Sequence, residues 1–419
     1  MAQYHMSKMR FASVPIKKIS AVLLTLALCV LSGCGQDSAS APPAGPHPSS
    51  TTGRAQAPAP AAADPALSLL FSRIAGLPDR TPAAAAWTGE PSWQAFAGLV
   101  GGHWADFDHS VLGPMKTWAE VDLKEAREDT ATVFYPFGGP DFVTSDVLYP
   151  AVGETILMGL EPVGNLPDFD RASAKWRGAF FADLGELISG FLERGYFITR
   201  EMNDIYSRGK VDGALPVIAF FMGRAGCDIV EVKRLVPAGD GGWTETPYGK
   251  MTARPHRPYG VRIAYLKPGD AAARNVYYFC CDVENKAFRT ETPLYRFFAG
   301  LGRISTFVKS GSYLLHWGDF STLRKFILDR SLYVLQDDTA VPYRYFVDSG
   351  WDVRLFGRYG KPVEDFTNVE QPDLRRAYED PATGVAPLPF HFGYHWKSQI
   401  DNLLLAKRPR QAYKVPVAK

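Results

Sequence analysis

Four carboxylates stand where strand-like segments run into turns. Asp141 ends the run Tyr135-Pro-Phe-Gly-Gly-Pro-Asp141 and is followed by Phe142. Two glycines and two prolines there fix an unusual backbone path, so Asp141 is a candidate general acid or base. The plainer reading is a tight turn in which Asp141 caps the next helix through Thr144. Glu161 follows the strand-like stretch Glu154–Leu160, and Asp337 and Asp338 follow Leu332–Gln336. Neighbouring side chains on a strand project to opposite sides, so only one of Asp337 and Asp338 would face a given site. With Glu161 as its counterpart, that acid would make the facing pair that glycoside hydrolysis uses. Otherwise the pair marks a polar strand-to-turn junction, with Asp338 holding the turn.

Imidazoles and aromatics form a second candidate group, in His391-Phe-Gly-Tyr-His395-Trp396. In extended form His391, Gly393 and His395 share a face, and two imidazoles there could ligate a metal. No third ligand is identifiable, so the sequence assigns no metal and no cofactor. Phe390, Phe392, Tyr394 and Trp396 suit a sugar-binding surface or the edge of a core. Tyr135, His391, Tyr394, His395 and Trp396 are therefore the candidate binding residues. Ser312 lies four positions before His316, but the surrounding Ser310-Gly-Ser312-Tyr313 lacks the Gly-x-Ser-x-Gly elbow of acyl-transfer enzymes.

These residues need elements to hold them. Helical periodicity marks Leu67 to Leu77, Trp93 to about Leu123 with a break at Gly113-Pro114, Lys175 to Arg194 stopping at Gly195, and Thr199 to Tyr206. Leu215 to Met222 fits helix or strand. Later helices are expected at Leu294–Leu301 and at Ser321–Asp329, the latter with Ser321 as N-cap. Strands are expected at Thr132–Tyr135, Glu154–Leu160, Cys227–Leu235, Ile304–Val308, Leu332–Gln336 and Val353–Phe356. Val261–Leu266 and Asn275–Asp282 read as an antiparallel hairpin across Pro268-Gly269-Asp270. No steady βαβ rhythm emerges. The expected class is α+β, a mixed and mainly antiparallel sheet with interspersed helices. Asp141-Phe142 precedes Glu161 much as Asp319-Phe320 precedes Asp337, which leaves open two similar lobes with a boundary near 240–255.

The N-terminus carries a different signal. Lys8, Arg10, Lys17 and Lys18 precede the uncharged run Ile19–Leu31, too short for the ~20 residues of a spanning helix. Leu31-Ser32-Gly33-Cys34 follows and resembles the lipobox of bacterial lipoproteins. That resemblance implies cleavage before Cys34, lipid on Cys34, and a membrane as partner. It divides the chain into a signal peptide (1–33), a lipidated Cys with an Ala/Pro-rich tether (34–65) that buries too little to fold, and a globular part (66–419). Gly35 stands where inner-membrane lipoproteins commonly have Asp, which implies an outer-membrane anchor facing the periplasm in a double-membraned host. The segments Tyr135–Phe142 and Leu335–Asp338 resemble those of uncharacterised bacterial lipoproteins, and no activity comes with that resemblance.

Charge excludes some functions. With 46 basic and 44 acidic residues and no basic block after the N-terminus, nothing offers a nucleic-acid footprint. No Gly-rich phosphate loop supports nucleotide binding. Cys227, Cys280 and Cys281 are an odd set for an oxidising compartment, open to one bridge or to three buried thiols. The functional expectation is an envelope binding or accessory protein for a glycan or protein partner. The alternative is a glycan-directed hydrolase using Asp141, Glu161, Asp337 or Asp338. An enzyme would bring two of these acids into one cleft with at least one poorly solvated, whereas a binding module would expose aromatic surface.

Overall fold

The computed structural model describes residues 62–78, 85–238, 242–249, 259–363, 366, 369–395 and 400–409. Cys34, the segment before it and the tether up to residue 61 lie outside them, as does Trp396. The described residues belong to one compact unit.

Among the described residues ten strands make a single mixed sheet: β1 (Thr132–Tyr135), β2 (Glu154–Gly159), β3 (Asp228–Pro237), β4 (Trp243–Pro247), β5 (Tyr259–Leu266), β6 (Arg274–Cys280), β7 (Ile304–Val308), β8 (Ser331–Gln336), β9 (Asp352–Gly357) and β10 (Asn402–Lys407). Their order is β4-β3-β5-β6-β2-β1-β7-β8-β10-β9. Five of the nine pairings are antiparallel, on the two flanks. The four central pairings, β6-β2-β1-β7-β8, are parallel. The class is α+β with interspersed helices, as the alternation of elements implies. Within the span left open as a lobe boundary, the described residues 242–249 hold β4, which pairs β3 in this same sheet.

The parallel centre is built from two like units. β1 leads through the helix Phe142–Leu148 to β2, and β7 leads through the helix Ser321–Arg330 to β8. β1 and β7 lie side by side, and the two crossovers move outward in opposite directions. Crossovers of one hand that run in opposite directions must cover opposite faces. The core obeys this. One apolar cluster holds Val133, Tyr135, Phe142, Leu148 and Phe307 on one face. The other holds Phe134, Leu323, Phe326 and Ile327 on the reverse face. The sheet is buried on both sides, so every residue of β1 and β7 is buried rather than every second one.

Local chemistry sets several boundaries. Gly195, in the left-handed conformation, ends the helix Ala174–Arg194. Pro114 does not break its helix. It lacks an N–H, and the chain accommodates it with a π-turn at Asp108–Leu112 between Pro91–Phe107 and Gly113–Asp122. Leu215–Arg224 is a helix, buried on nearly every side. The N-cap of Ser321–Arg330 is Phe320 rather than Ser321, whose hydroxyl instead accepts from Asn285. No disulfide forms among Cys227, Cys280 and Cys281: the first and last are buried thiols and Cys280 is partly buried. Among the described residues no helix is long and apolar enough to cross a membrane.

Candidate functional site

Where neighbouring parallel strands send their crossovers in opposite directions, their carboxyl ends leave a crevice, the usual ligand position in open α/β sheets. Here that seam lies between β1 and β7. The loops leaving them, Pro136–Asp141 and Lys309–Tyr313, carry all four of the non-glycine residues with positive φ among those described: Phe137 (65°), Ser310 (55°), Ser312 (52°) and Tyr313 (55°). Such conformations cost about 1–3 kcal/mol each and persist only when their surroundings over-determine them.

The first of those surroundings centres on Asp141. It caps the helix Phe142–Leu148, accepting from the Thr144 amide (3.1 Å) and hydroxyl (2.8 Å) on Oδ1. Its Oδ2 accepts from the Tyr135 hydroxyl (2.9 Å) and from Lys309 Nζ (2.6 Å). Lys309 also donates to Thr144 Oγ1 at 2.8 Å and lies over the Phe191 ring. Both ions are sealed from solvent, with side-chain exposures of 5% and 2%. Burial, then the Asp141 charge, pushes the Tyr135 phenol well above its ordinary range, so it serves as a donor. Gly138 is required because a Cβ there would strike the Tyr135 ring at 2.5 Å.

The second network holds the other loop. Asp337 accepts from the Ser310 amide (2.8 Å) on one oxygen, and from the Thr339 amide (3.0 Å) and hydroxyl on the other. Asp337 therefore holds the turn, a part expected of Asp338. Burial, reinforced by the charge of Asp338, lifts the Asp337 carboxyl to about 6. Asp338 faces the opposite way. It accepts from the Tyr313 hydroxyl and from Asn402 Nδ2 (2.8 Å), while its own amide donates to Asn402 Oδ1. His395 Nε2 lies 3.5 Å from Asp338 Oδ1. Burial lowers the His395 pKa, but the Asp338 carboxylate outweighs it and the net direction is upward. His316 is shifted the other way by burial, down to about 4. Tyr394 steadies the loop from outside, donating to the Ser310 carbonyl at 2.8 Å and pairing with Ser312 Oγ.

The seam thus gathers Tyr135, Asp141, Asp337, Asp338, Tyr394 and His395. Two further candidates are placed differently. Glu161 follows β2, and its Oε2 lies beside Gly139 on the loop after β1, where a Cβ would meet it at 3.7 Å. Glu161 is 3% exposed, and no described residue donates a hydrogen bond to its carboxylate. His391 is exposed and bonds Asp401 at 2.9 Å. Gly393 (φ 67°) begins the turn Gly393–His395, so His391 and His395 do not line one extended face. Among the described residues no three His, Cys, Asp or Glu side chains are grouped to hold a metal.

Sequence reasoning missed Lys309, Tyr313 and Asn402. A lysine after an apolar strand reads as solvated, and its partner Asp141 is 168 positions away. A cavity of about 10 Å³ lies beside Asp337, Asp338 and Asn402, room for about one water and far too small for a sugar ring. Comparison of the chain with family models, curated proteins and solved structures finds no match.

Proposed function

We propose that this chain is a cell-envelope lipoprotein, anchored to the outer membrane through lipid on Cys34, whose folded part binds a glycan or protein partner. One observation carries the preference for binding over hydrolysis: the seam acids are already engaged. Asp141 is neutralised by Lys309 and accepts four hydrogen bonds. Asp338 is held by Tyr313 and Asn402. A carboxylate tied into a buried network holds loops in place, and the four bonds to Asp141 fill its lone pairs.

A second reading, hydrolysis at the seam, is favoured by Asp337 alone, whose carboxyl is raised toward the range of a general acid. One experiment separates the two. The full-length chain in detergent is incubated with neutral oligosaccharides, and both heat of binding and release of reducing ends are followed. Binding without turnover is expected. Turnover abolished in Asp337→Asn, with the fold intact by circular dichroism, would replace binding by hydrolysis.

A further inference from the structure

Away from the seam, an open groove of about 450 Å³ runs between β3, β4 and β6 and the helix Pro293–Gly300. Small-molecule sites span about 300–1,000 Å³, so its size is appropriate. Its walls are the half-buried rings of Trp243, Tyr277 and Phe297 above a buried Leu235. The rings brace one another at steep angles. Trp243 and Phe297 meet at 6.4 Å and 71°, and Tyr277 and Phe297 at 5.5 Å and 61°. The Trp243 indole N–H is spent on the Pro293 carbonyl at 2.9 Å, which fixes the ring. Two polar groups share the wall. Glu245 is oriented by a bidentate contact from Arg262 (2.6 and 2.8 Å). Arg296 is exposed and makes no ion pair with any described residue.

We infer that this groove is a carbohydrate site for a short, uncharged saccharide. The inference rests on the binding reading above and names its site and ligand class. An aromatic face is negative, and the C–H bonds of a pyranose ring are weakly positive, so rigid rings favour a sugar's apolar face over water. The wall's acid and base each have a balancing charge, Arg262 on Glu245 and the nearby Glu291 for Arg296, so no strong field attracts an ionic ligand. They do offer an acceptor in Glu245 and a multidentate donor in Arg296, the pairing that adjacent hydroxyls match. A purely apolar ligand would desolvate Arg296 without a hydrogen-bond partner in return, which disfavours it.

The test titrates the full-length chain in detergent with cellotetraose, chitotetraose and a sulfated heparin-derived tetrasaccharide. Binding of at least one neutral tetrasaccharide is expected, weakened about tenfold or more in Trp243→Ala and severalfold in Arg296→Ala. Trp243→Phe, which keeps a ring, should retain most of the affinity. Arg296 is exposed, so its variant guards against a loss caused by misfolding. No heat with either neutral sugar overturns the proposal, as does a preference for the sulfated one that vanishes in Arg296→Ala. Neutral sugar bound equally by wild type and variants sinks the groove but leaves the binding reading standing. Turnover of the sugar sinks the binding reading itself.

Discussion

The pair Asp141–Lys309 makes the sharpest demand on this structure. Its ions meet at 2.6 Å with almost no solvent contact. Removing one partner of such a pair strands the other's charge, at about 3–5 kcal/mol. Lys309→Met leaves Asp141 with three neutral donors, from Tyr135 and Thr144, so its penalty belongs at the lower end. Asp141→Asn keeps the helix cap but leaves the lysine with the Thr144 hydroxyl as its hydrogen-bond partner, and belongs at the upper end. Replacing both charges by neutral groups of similar shape is commonly close to neutral. The double variant Asp141→Asn/Lys309→Met should therefore cost no more than the worse single variant, a coupling of at least about 3 kcal/mol. A domain is stable by only about 5–15 kcal/mol, so the single variants should unfold visibly earlier in urea. Four denaturation curves complete the cycle. Additivity within about 0.5 kcal/mol would mean the two charges do not sense each other, and the buried pair would have to be abandoned.

Other perturbations reach other parts of the molecule. His316, held down at about 4, contributes stability that is lost as pH falls from 6.5 to 4, whereas Asp337, held up at about 6, contributes stability that is lost as pH rises from about 3.8 through 6. His316→Gln and Asp337→Asn should thus shift the wild-type stability profile in opposite senses across that window, and parallel shifts would refute the assignment. Gly393→Ala puts a Cβ 2.3 Å from Asp337 Oδ2 at a φ of 67°, so a loss of roughly 2–4 kcal/mol is expected by thermal melt. Cys281, buried and with its thiol pushed up by burial, should resist a thiol reagent until the protein unfolds; rapid labelling of the native chain at Cys281 would contradict its placement. Labelled palmitate should enter the wild type and not Cys34→Ala, and equal labelling would remove the anchor.

Much of the fold was legible because its signals are local. The run Thr132–Tyr135 ends at a Pro-Phe-Gly-Gly-Pro turn, and the helix from Ala174 stops at a glycine, so both elements announce themselves. Which strand lies beside which is not local. A strand buried on both faces reads the same whether its neighbours are parallel or antiparallel, so the parallel centre stayed hidden behind the antiparallel flanks. β10 was overlooked, although it pairs β8 and supplies Asn402 to Asp338. At the site the residue types were visible and their partners were not. The Asp141 cap on Thr144 spans three positions and could be read; Lys309 could not, because it is brought there by the strand order. The likeness between Asp141-Phe142 and Asp319-Phe320 has a counterpart in two β-helix-β units, but they share one sheet.

The seam's cross-links explain how so much strain is tolerated and what it leaves for function. Asp141, on the loop after β1, grips Lys309 after β7. Asp337, after β8, grips the amide of Ser310. Asp338 reaches on to Asn402 of β10. Each acid fastens the end of a neighbouring strand. Hydrogen bonds to charged groups contribute about 1.5–3 kcal/mol each, enough to offset about 1–3 kcal/mol per strained residue. A site organised this way is stiff, and its acids act by staying where they are. Hydrolysis at the same place would require at least one of them to let go of its loop during turnover, which would release the strain that the network contains. A rigid frame of this kind suits recognition, in which the sheet holds a preformed surface and a ligand is met without rearrangement.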